Sequence, residues 1–320
     1  MIHPDRTSEL TRILGVRYPV LQGGMTFGSD GRLVAAVSEA GGLGTLGTFH
    51  YRSWEEVAAQ LEVIRAGTRA PFAVNVPFFE RGLELMERAC DAGVRIFALG
   101  GWASDAAMRL KERYGLVLVT SVNSPTAARY VEPFPVDVLI AQGCESGGAN
   151  SQHSTRALVD YLLAHHRPPV VAAGGLWDGH DLYTARLAGA AGIQLGTRFL
   201  FSRESPLHET IKEQVVAAAA KRAPVTQLVP VGDTLQMRFL VNPPFKQLSR
   251  SGELPRIFAD KARVWDVSSE FAKAQDGPIL MYAGAGVHRL RAIEPCADIL
   301  RAIAREHDEL ARTVVPPLER

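Results

Sequence analysis

Short apolar runs alternate with segments of helical period through the first two thirds of the chain. The apolar runs cover residues 18–24, 42–47, 72–79, 94–101, 116–124, 137–143, 169–175 and 192–199. Between them, residues 32–40, 54–66, 82–92, 104–114, 126–131, 156–165 and 178–187 carry the helical pattern. Ser53 and Glu56 have the spacing of a capping box at the start of the second of these helices. Strands rich in Val, Ile and Leu on both faces, separated by helices, indicate a parallel sheet covered by helices. Eight repeats of that unit predict an α/β fold, the (β/α)8 TIM barrel. The competitor is a Rossmann-like open sheet, which the repeat count disfavours.

After the eighth run the rhythm changes. Residues 209–222 read as a helix, 223–241 as β-branched and irregular, 242–244 as a breaker, and 249–271 as helical with loops. The expected organisation is therefore a barrel over residues 1–215, an inserted or appended subdomain over 216–275 covering the barrel mouth, and a segment over 276–320 returning to the barrel. Within it, the stretch MRFLVNPPF at 237–245 is expected to act as a lid.

Composition narrows the function. Of 320 residues, 47% are hydrophobic and 22% charged, and 35 basic side chains nearly balance 34 acidic ones. A net charge of +1 gives no electrostatic case for nucleic acid or an anionic membrane. Cys90, Cys144 and Cys296 are too far apart for a metal motif and fit a reduced setting. Residues 1–14 include Asp5, Arg6, Glu9 and Arg12, so no signal peptide is read there. No long uncharged apolar run predicts a membrane span. The expected setting is cytoplasmic, with a small-molecule substrate and a possible homodimer.

Two sets of glycines must be separated. Gly42, Gly44 and Gly47 match GxGxxG, but they follow a helix and form a strand, whereas a dinucleotide fingerprint follows a strand and opens a helix. They are read as a helix end and a tight strand. By contrast, Gln142 to Gly148, Gly174–Gly175, and Gln194 to Thr197 with Gly196 end strands six, seven and eight. In a barrel those ends share the active-site face, and the loops after strands seven and eight often hold phosphate. Glycines let ligand oxygens approach main-chain N–H groups, and consecutive amides make an anion nest. The alternative is that they serve only as tight turns. Gly23, Gly24 and Met25 end the first strand on the same rim. Asn75, a polar amide inside an apolar strand, needs either a structural or a ligand partner.

Several segments together resemble a known group. Residues 18–47 (YPVLQGGMTFGSDGRLVAAVSEAGGLGTLG), AVNVPF around Asn75, QGCESGG at 142–148, VVAAGG at 170–175 and QLGTRFL at 194–200 occur in the order seen in nitronate monooxygenases. The related flavin-dependent enoyl-ACP reductases share them, and GAGVHRLRAIEP near the end matches more loosely. The resemblance implies an FMN-containing TIM barrel that oxidises alkyl nitronates with O2. It implies FMN contacts at Asn75, Gln142, Gly147, Gly148, Gly174, Gly175, Gln194, Gly196 and Thr197, with Gly23, Gly24 and Met25 beside the ring. An NAD(P)H-dependent flavin reductase acting on an enoyl thioester or quinone is the alternative. A non-redox barrel that binds a phosphate ligand is a third reading.

One departure bears on the chemistry. Many members of the group carry a histidine directly after the ExGG stretch, and this chain has Ala149. A nitroalkane needs a base at that point, whereas a nitronate arrives deprotonated. His153 would supply the imidazole if its loop folds inward, and is otherwise a solvated loop histidine. Glu145 either orients a ribityl hydroxyl or caps a helix. Cys144 and Ser146 have no identifiable activating base, and Cys144 reads as a packing residue. His180 is expected on the surface or rim, and His165 and His166 at a helix C-terminus. Phe27, Phe49, Phe78 and Trp102 follow strand ends, where aromatics line a pocket or plug the core.

Overall fold

A computed structural model describes residues 4–76, 79–221, 225–231, 235–259 and 280–313. It begins with helix α1 (Pro4–Leu14), followed by β1 (Val20–Gln22), α2 (Gly31–Glu39), β2 (Gly44–Gly47), α3 (Trp54–Gly67) and β3 (Phe72–Val76). Next come α4 (Phe79–Asp91), β4 (Ile96–Leu99), α5 (Asp105–Tyr114), β5 (Val117–Val122), α6 (Pro125–Val131) and β6 (Val138–Gln142). The short strand β7 (Gly148–Asn150) precedes α7 (Thr155–His165), β8 (Val170–Ala173), α8 (Gly179–Leu187), β9 (Gly192–Leu195) and α9 (Thr197–Leu200). Of these strands, all but β7 form a parallel sheet of order β1-β9-β8-β6-β5-β4-β3-β2. A parallel bridge between Leu21 and Leu43 joins its two ends, so the expected (β/α)8 TIM barrel is what the chain forms.

The βα junctions show why the helices start where they do. Asp30, Ser53, Ser104, Ser124, Ser154 and Asp178 are N-caps whose side chains accept from the amide three residues on. The capping box expected at Ser53 is half formed, because Glu56 accepts from the Arg52 amide at 2.6 Å instead. A complete box occurs at Asp178 and Asp181. Two apolar runs overreach their strands. Phe79 belongs to α4 and Phe199 to α9, because apolar character does not distinguish a strand end from the first turn of a buried helix.

Alternate strand residues face opposite ways and build two cores. Leu21, Leu43, Ala73, Ile96, Val119, Val138 and Val171 form the inner cluster, joined by Leu10 and Leu14 of α1. Leu10 lies against Gly192 at the start of β9, so α1 caps the amino-terminal end of the barrel. Each such leucine contributes roughly 1.5–3 kcal/mol by burial. Val74, Val76, Phe97, Leu99, Leu118 and Leu139 belong to the outer cluster between strands and helices. The glycines of β2 are packing residues: a side chain at Gly44 would strike the Val34 carbonyl of α2, and one at Gly47 the Gly24 carbonyl. Gln22, fully buried, closes the barrel seam by accepting from the Thr45 amide at 2.8 Å and donating to the Thr45 carbonyl at 3.0 Å.

Beyond the barrel, α10 (Glu209–Ala220) leads to β10 (Thr226–Val231) and β11 (Leu235–Leu240), which pair antiparallel as a hairpin. The stretch read as irregular is thus two regular strands, with Pro230 tolerated on the edge strand β10. Residues 242–244 start a helix where a breaker was expected. Asn242 accepts from the Phe245 amide as N-cap and Pro243 takes the first position of α11 (Pro243–Arg250), where proline's missing N–H costs nothing. After α12 (Leu254–Phe258), residues 260–279 lie outside the described ones, including the rest of the helical expectation over 249–271. The final helix α13 (Cys296–Thr313) packs on α8 and α2. No helix among the described residues is long and apolar enough to cross a membrane.

Candidate active site

A cavity of about 640 Å³ opens at the carboxyl ends of the barrel strands. Gly23, Gly24, Met25, Asn75, Gln142, Gly147, Gly148, Gly174, Gly175, Gln194, Gly196 and Thr197 all line it, although they come from five different barrel strands and the junctions after them. His153 does not line it. That residue is exposed on the loop before α7, and its carbonyl accepts from the Cys144 amide at 2.8 Å. Ala149 does line the cavity. Phe27 and Phe49 face it, whereas Trp102 is buried in the outer core and Phe78 lies outside the described residues.

The wall around the rim is built by close main-chain approach. A Cβ on Gly24 would stand 2.9 Å from Asn75 Oδ1, and one on Gly147 would stand 2.9 Å from the Ala283 carbonyl carbon. Gly174 has φ +120°, and its Cβ would be 2.7 Å from Thr155 Oγ1 and 2.9 Å from the Ser146 amide nitrogen. A Cβ on Gly286 would sit 2.9 Å from the Gly175 carbonyl. Three loops therefore meet backbone to backbone, which only glycine permits. Met25 and Thr26 adopt φ of 46° and 44° without being glycine, a strained conformation of the kind that collects at ligand sites.

Side chains on the rim are largely committed to holding these loops. Asn75 Nδ2 donates to the Ala98 carbonyl at 2.8 Å, which gives its amide a structural partner on the next strand. Gln142 Nε2 donates to the Ala149 carbonyl at 2.9 Å. Glu145 accepts from the amide and hydroxyl of Thr155, both at 2.9 Å, and so takes the helix-capping role for α7. Ser146 is held by the Gly143 carbonyl and Asn150. Burial, reinforced by Glu145, pushes the Cys144 thiol up, which removes nucleophilic character. Thr197 Oγ1 accepts from the Gly284 amide at 2.8 Å, and the Ala285 amide donates to the Glu145 carbonyl at 2.8 Å.

Sequence reasoning missed the return segment as part of the wall. Tyr282, Gly284 and Gly286 line the cavity, together with Leu176 and Trp177 after β8. The GAG spacing was the available signal, but nothing in it specified contact with the β6 and β8 loops. Among the described residues, no Asp, Glu, His, Lys, Arg or Cys lines the cavity. Tyr282 is the one titratable group in that lining. The histidines lie elsewhere. His180 is exposed beside Asp178 at 3.9 Å, and His165 stacks on Tyr161 at 4.3 Å. His50, after β2, sits between Phe27 and Tyr51, and burial lowers its pKa to about 4 despite Glu56.

A closed barrel with a glycine-walled cavity at its catalytic face is an enzyme architecture of the ligand-binding TIM-barrel class. The nitronate monooxygenase family model matches residues 7–82 and 79–306. The chain belongs to the nitronate monooxygenase family and is an oxidoreductase. It is 36% identical to the (3aS,4S,5R,7aS)-5-hydroxy-7a-methyl-1-oxo-octahydro-1H-indene-4-carboxyl-CoA dehydrogenase of Mycobacterium tuberculosis, over 79% of this chain and 71% of that protein. It is 28% identical to the nitronate monooxygenase of Pseudomonas aeruginosa, over 94% of this chain and 99% of that one. FabK from Thermotoga maritima superposes with a TM-score of 0.80 and 27% identity, over 95% of this chain and 96% of that chain.

Proposed function

We propose that the chain is an FMN-dependent oxidoreductase of the nitronate monooxygenase type, oxidising alkyl nitronates with O2. The observation that carries this reading is the convergence of seven glycines, three side-chain amides, Met25 and Thr197 on one cavity whose described lining holds no carboxylate, imidazole, amine or thiol. Gly174, Gly175, Gly196 and Thr197 would hold the phosphate through their main chain, as loops after the last barrel strands commonly do. Gly23, Gly24 and Met25 would lie beside the ring, with Asn75, Gln142, Gly147, Gly148 and Gln194 around it. The close approaches at Gly24, Gly147 and Gly174 fit such a ligand, because each keeps the cavity free of side-chain bulk. When bound, FMN supplies the two-electron chemistry, and the protein's share is binding, orientation and exclusion of water.

The lack of a base among the described lining residues favours one substrate over the other. A neutral nitroalkane must lose a proton before oxidation, and Ala149 offers no group for that. A nitronate arrives ionised, so this cavity suits it. Met237 on β11 lines the cavity beside Ala149, consistent with the hairpin acting as a lid.

The match to a CoA-thioester dehydrogenase at 36% identity favours a second reading, in which NAD(P)H is the electron donor and a thioester the substrate. Anaerobic mixing of the FMN-loaded protein separates the two. Bleaching of the flavin by propyl nitronate but not by NADPH is the expected result, and the reverse supports the thioester reading. Colourless protein that cannot be loaded with FMN would remove both.

A further inference from the structure

We infer that substrate binds against the part of the cavity wall built by β4 and β5, with the Asn123 carboxamide meeting its negatively charged oxygen. The inference rests on the FMN reading above and adds to it where the substrate sits and what holds it. The proposed cofactor positions come from β1, β3, β6, β8, β9 and the junctions after them, and none comes from β4 or β5. Both of those strands nevertheless reach the cavity, through Ala98 to Gly101 at the end of β4 and through Ser121, Asn123 and Ala127 at and beyond the end of β5. In the sheet order β4 and β5 stand between β3, which carries Asn75, and β6, which carries Gln142. A molecule bound against that wall is therefore flanked on both sides by residues assigned to the ring.

Ser121 and Asn123 are the polar side chains of this wall. Ser121 is committed, its Oγ donating to the Leu99 carbonyl at 3.4 Å. Asn123 is not: among the described residues, nothing hydrogen-bonds to its carboxamide. Strand alternation aims it inward. Val119 packs in the inner cluster, Ser121 lines the cavity, and Asn123 continues that series, whereas Leu118 and Val122 belong to the outer cluster. The main chain beneath it is fixed. Ser151 Oγ donates to the Asn123 carbonyl, which ties the end of β5 to the loop two residues beyond Ala149. Ser124 accepts from the Ala127 amide at 3.1 Å and starts α6. A half-buried carboxamide is thus held at the cavity wall with its own hydrogen-bonding groups unspent. It offers two N–H donors and carries no charge, so it can hold an anionic oxygen without exchanging a proton with it. That suits a substrate oxygen that arrives ionised, as a nitronate's does, and it is compatible with alanine at position 149.

The test compares the FMN-loaded wild-type enzyme with Asn123→Leu, which keeps the side chain's shape, and Asn123→Asp, which turns the donor into a negative charge. Asn123→Ala is carried alongside, because it removes the carboxamide without adding apolar bulk. FMN content and melting temperature are expected to match wild type, since the carboxamide holds neither the cofactor nor a neighbouring residue. The first readout is the dissociation constant for nitrate, an inert planar oxyanion, from perturbation of the flavin spectrum. Loss of a hydrogen bond to a charged group should weaken it roughly tenfold to a hundredfold in Asn123→Leu and Asn123→Ala, and further in Asn123→Asp at neutral pH. The second readout is kcat/KM with propyl nitronate in one arm and crotonyl-CoA with NADPH in the other. A comparable fall, carried by KM, is expected with the nitronate. The same fall confined to the thioester arm keeps the Asn123 assignment and overturns the nitronate reading. Wild-type nitrate affinity in any folded, FMN-loaded variant overturns the assignment and leaves the FMN reading intact, as does a wild-type flavin spectrum that nitrate does not perturb. Failure of the wild-type protein to load FMN overturns that reading instead, and this one with it.

Discussion

Replacing Gly174 by alanine puts a methyl group into occupied space. The residue has φ +120°, where an L side chain is strained by about 1–3 kcal/mol. The new Cβ would stand 2.7 Å from Thr155 Oγ1 and 2.9 Å from the Ser146 nitrogen. Neither neighbour yields freely. Thr155 Oγ1 is bonded to Glu145 at 2.9 Å and to the Ala173 carbonyl at 3.0 Å, and the Ser146 amide is bonded to the Gly143 carbonyl at 3.0 Å. Overpacking of this kind costs about 1–3 kcal/mol more. The sum, about 2–6 kcal/mol, is a large part of a typical stability of about 5–15 kcal/mol. At about 2 °C per kcal/mol for a chain of this size, Gly174→Ala should melt roughly 4–12 °C below wild type. Gly148→Ala is the control, since its φ is +78° but a Cβ there meets nothing within 4 Å. That substitution should cost only about 1–2 kcal/mol. Thermal unfolding by circular dichroism compares the three proteins, and flavin retained after gel filtration reports the cavity. Equal melting temperatures for the two variants, or Gly174→Ala within about 1 °C of wild type, would refute the steric argument.

Other perturbations follow from the same contacts. Gln22→Ala strands the buried Thr45 amide at the barrel seam and should cost about 2–4 kcal/mol, read as a lower urea midpoint with unchanged slope. His50 has a folded-state pKa lowered to about 4 by burial, so it folds neutral and takes up a proton on unfolding as pH drops. Its stabilising contribution is complete above an unfolded pKa of about 6.5 and is lost as pH falls towards the folded value. His50→Phe should therefore flatten the decline in melting temperature between about pH 6.5 and pH 4, and an unchanged slope there counts against the assignment. Arg238 Nε donates to the Cys144 carbonyl at 2.7 Å and ties the hairpin to the β6 loop. Arg238→Ala should speed amide hydrogen exchange in β11 and β7 while leaving β3 to β5 protected. Uniform exchange across both regions would contradict it.

Barrel formation was legible because the eight barrel strands and the helices between them announce themselves locally. Strands apolar on both faces, a cap signal at Ser53, and eight repeats leave one architecture. The glycine junctions at 142–148, 174–175 and 194–197 were legible for the same reason, since strand ends of a barrel share one face whatever the rest of the chain does. The rejection of Gly42, Gly44 and Gly47 as a dinucleotide loop also needed only local order, a helix before them and a strand within them. What failed were readings that depend on partners distant in sequence. The paired strands β10 and β11 looked irregular because their alternation serves a core made with Phe245 and Phe258. Asn242 looked like a breaker because a cap and a break share the same residues. Glu145 stayed ambiguous until Thr155 was placed beside it, and His153 stayed a candidate until its loop was seen outside the cavity. Above all, the pairing of β11 with β7 and then with Tyr282 is a register between residues 43 or more positions apart. Local propensity carries no information about such a register. It is settled by which side chains can be buried together, and that is a property of the assembled tertiary structure.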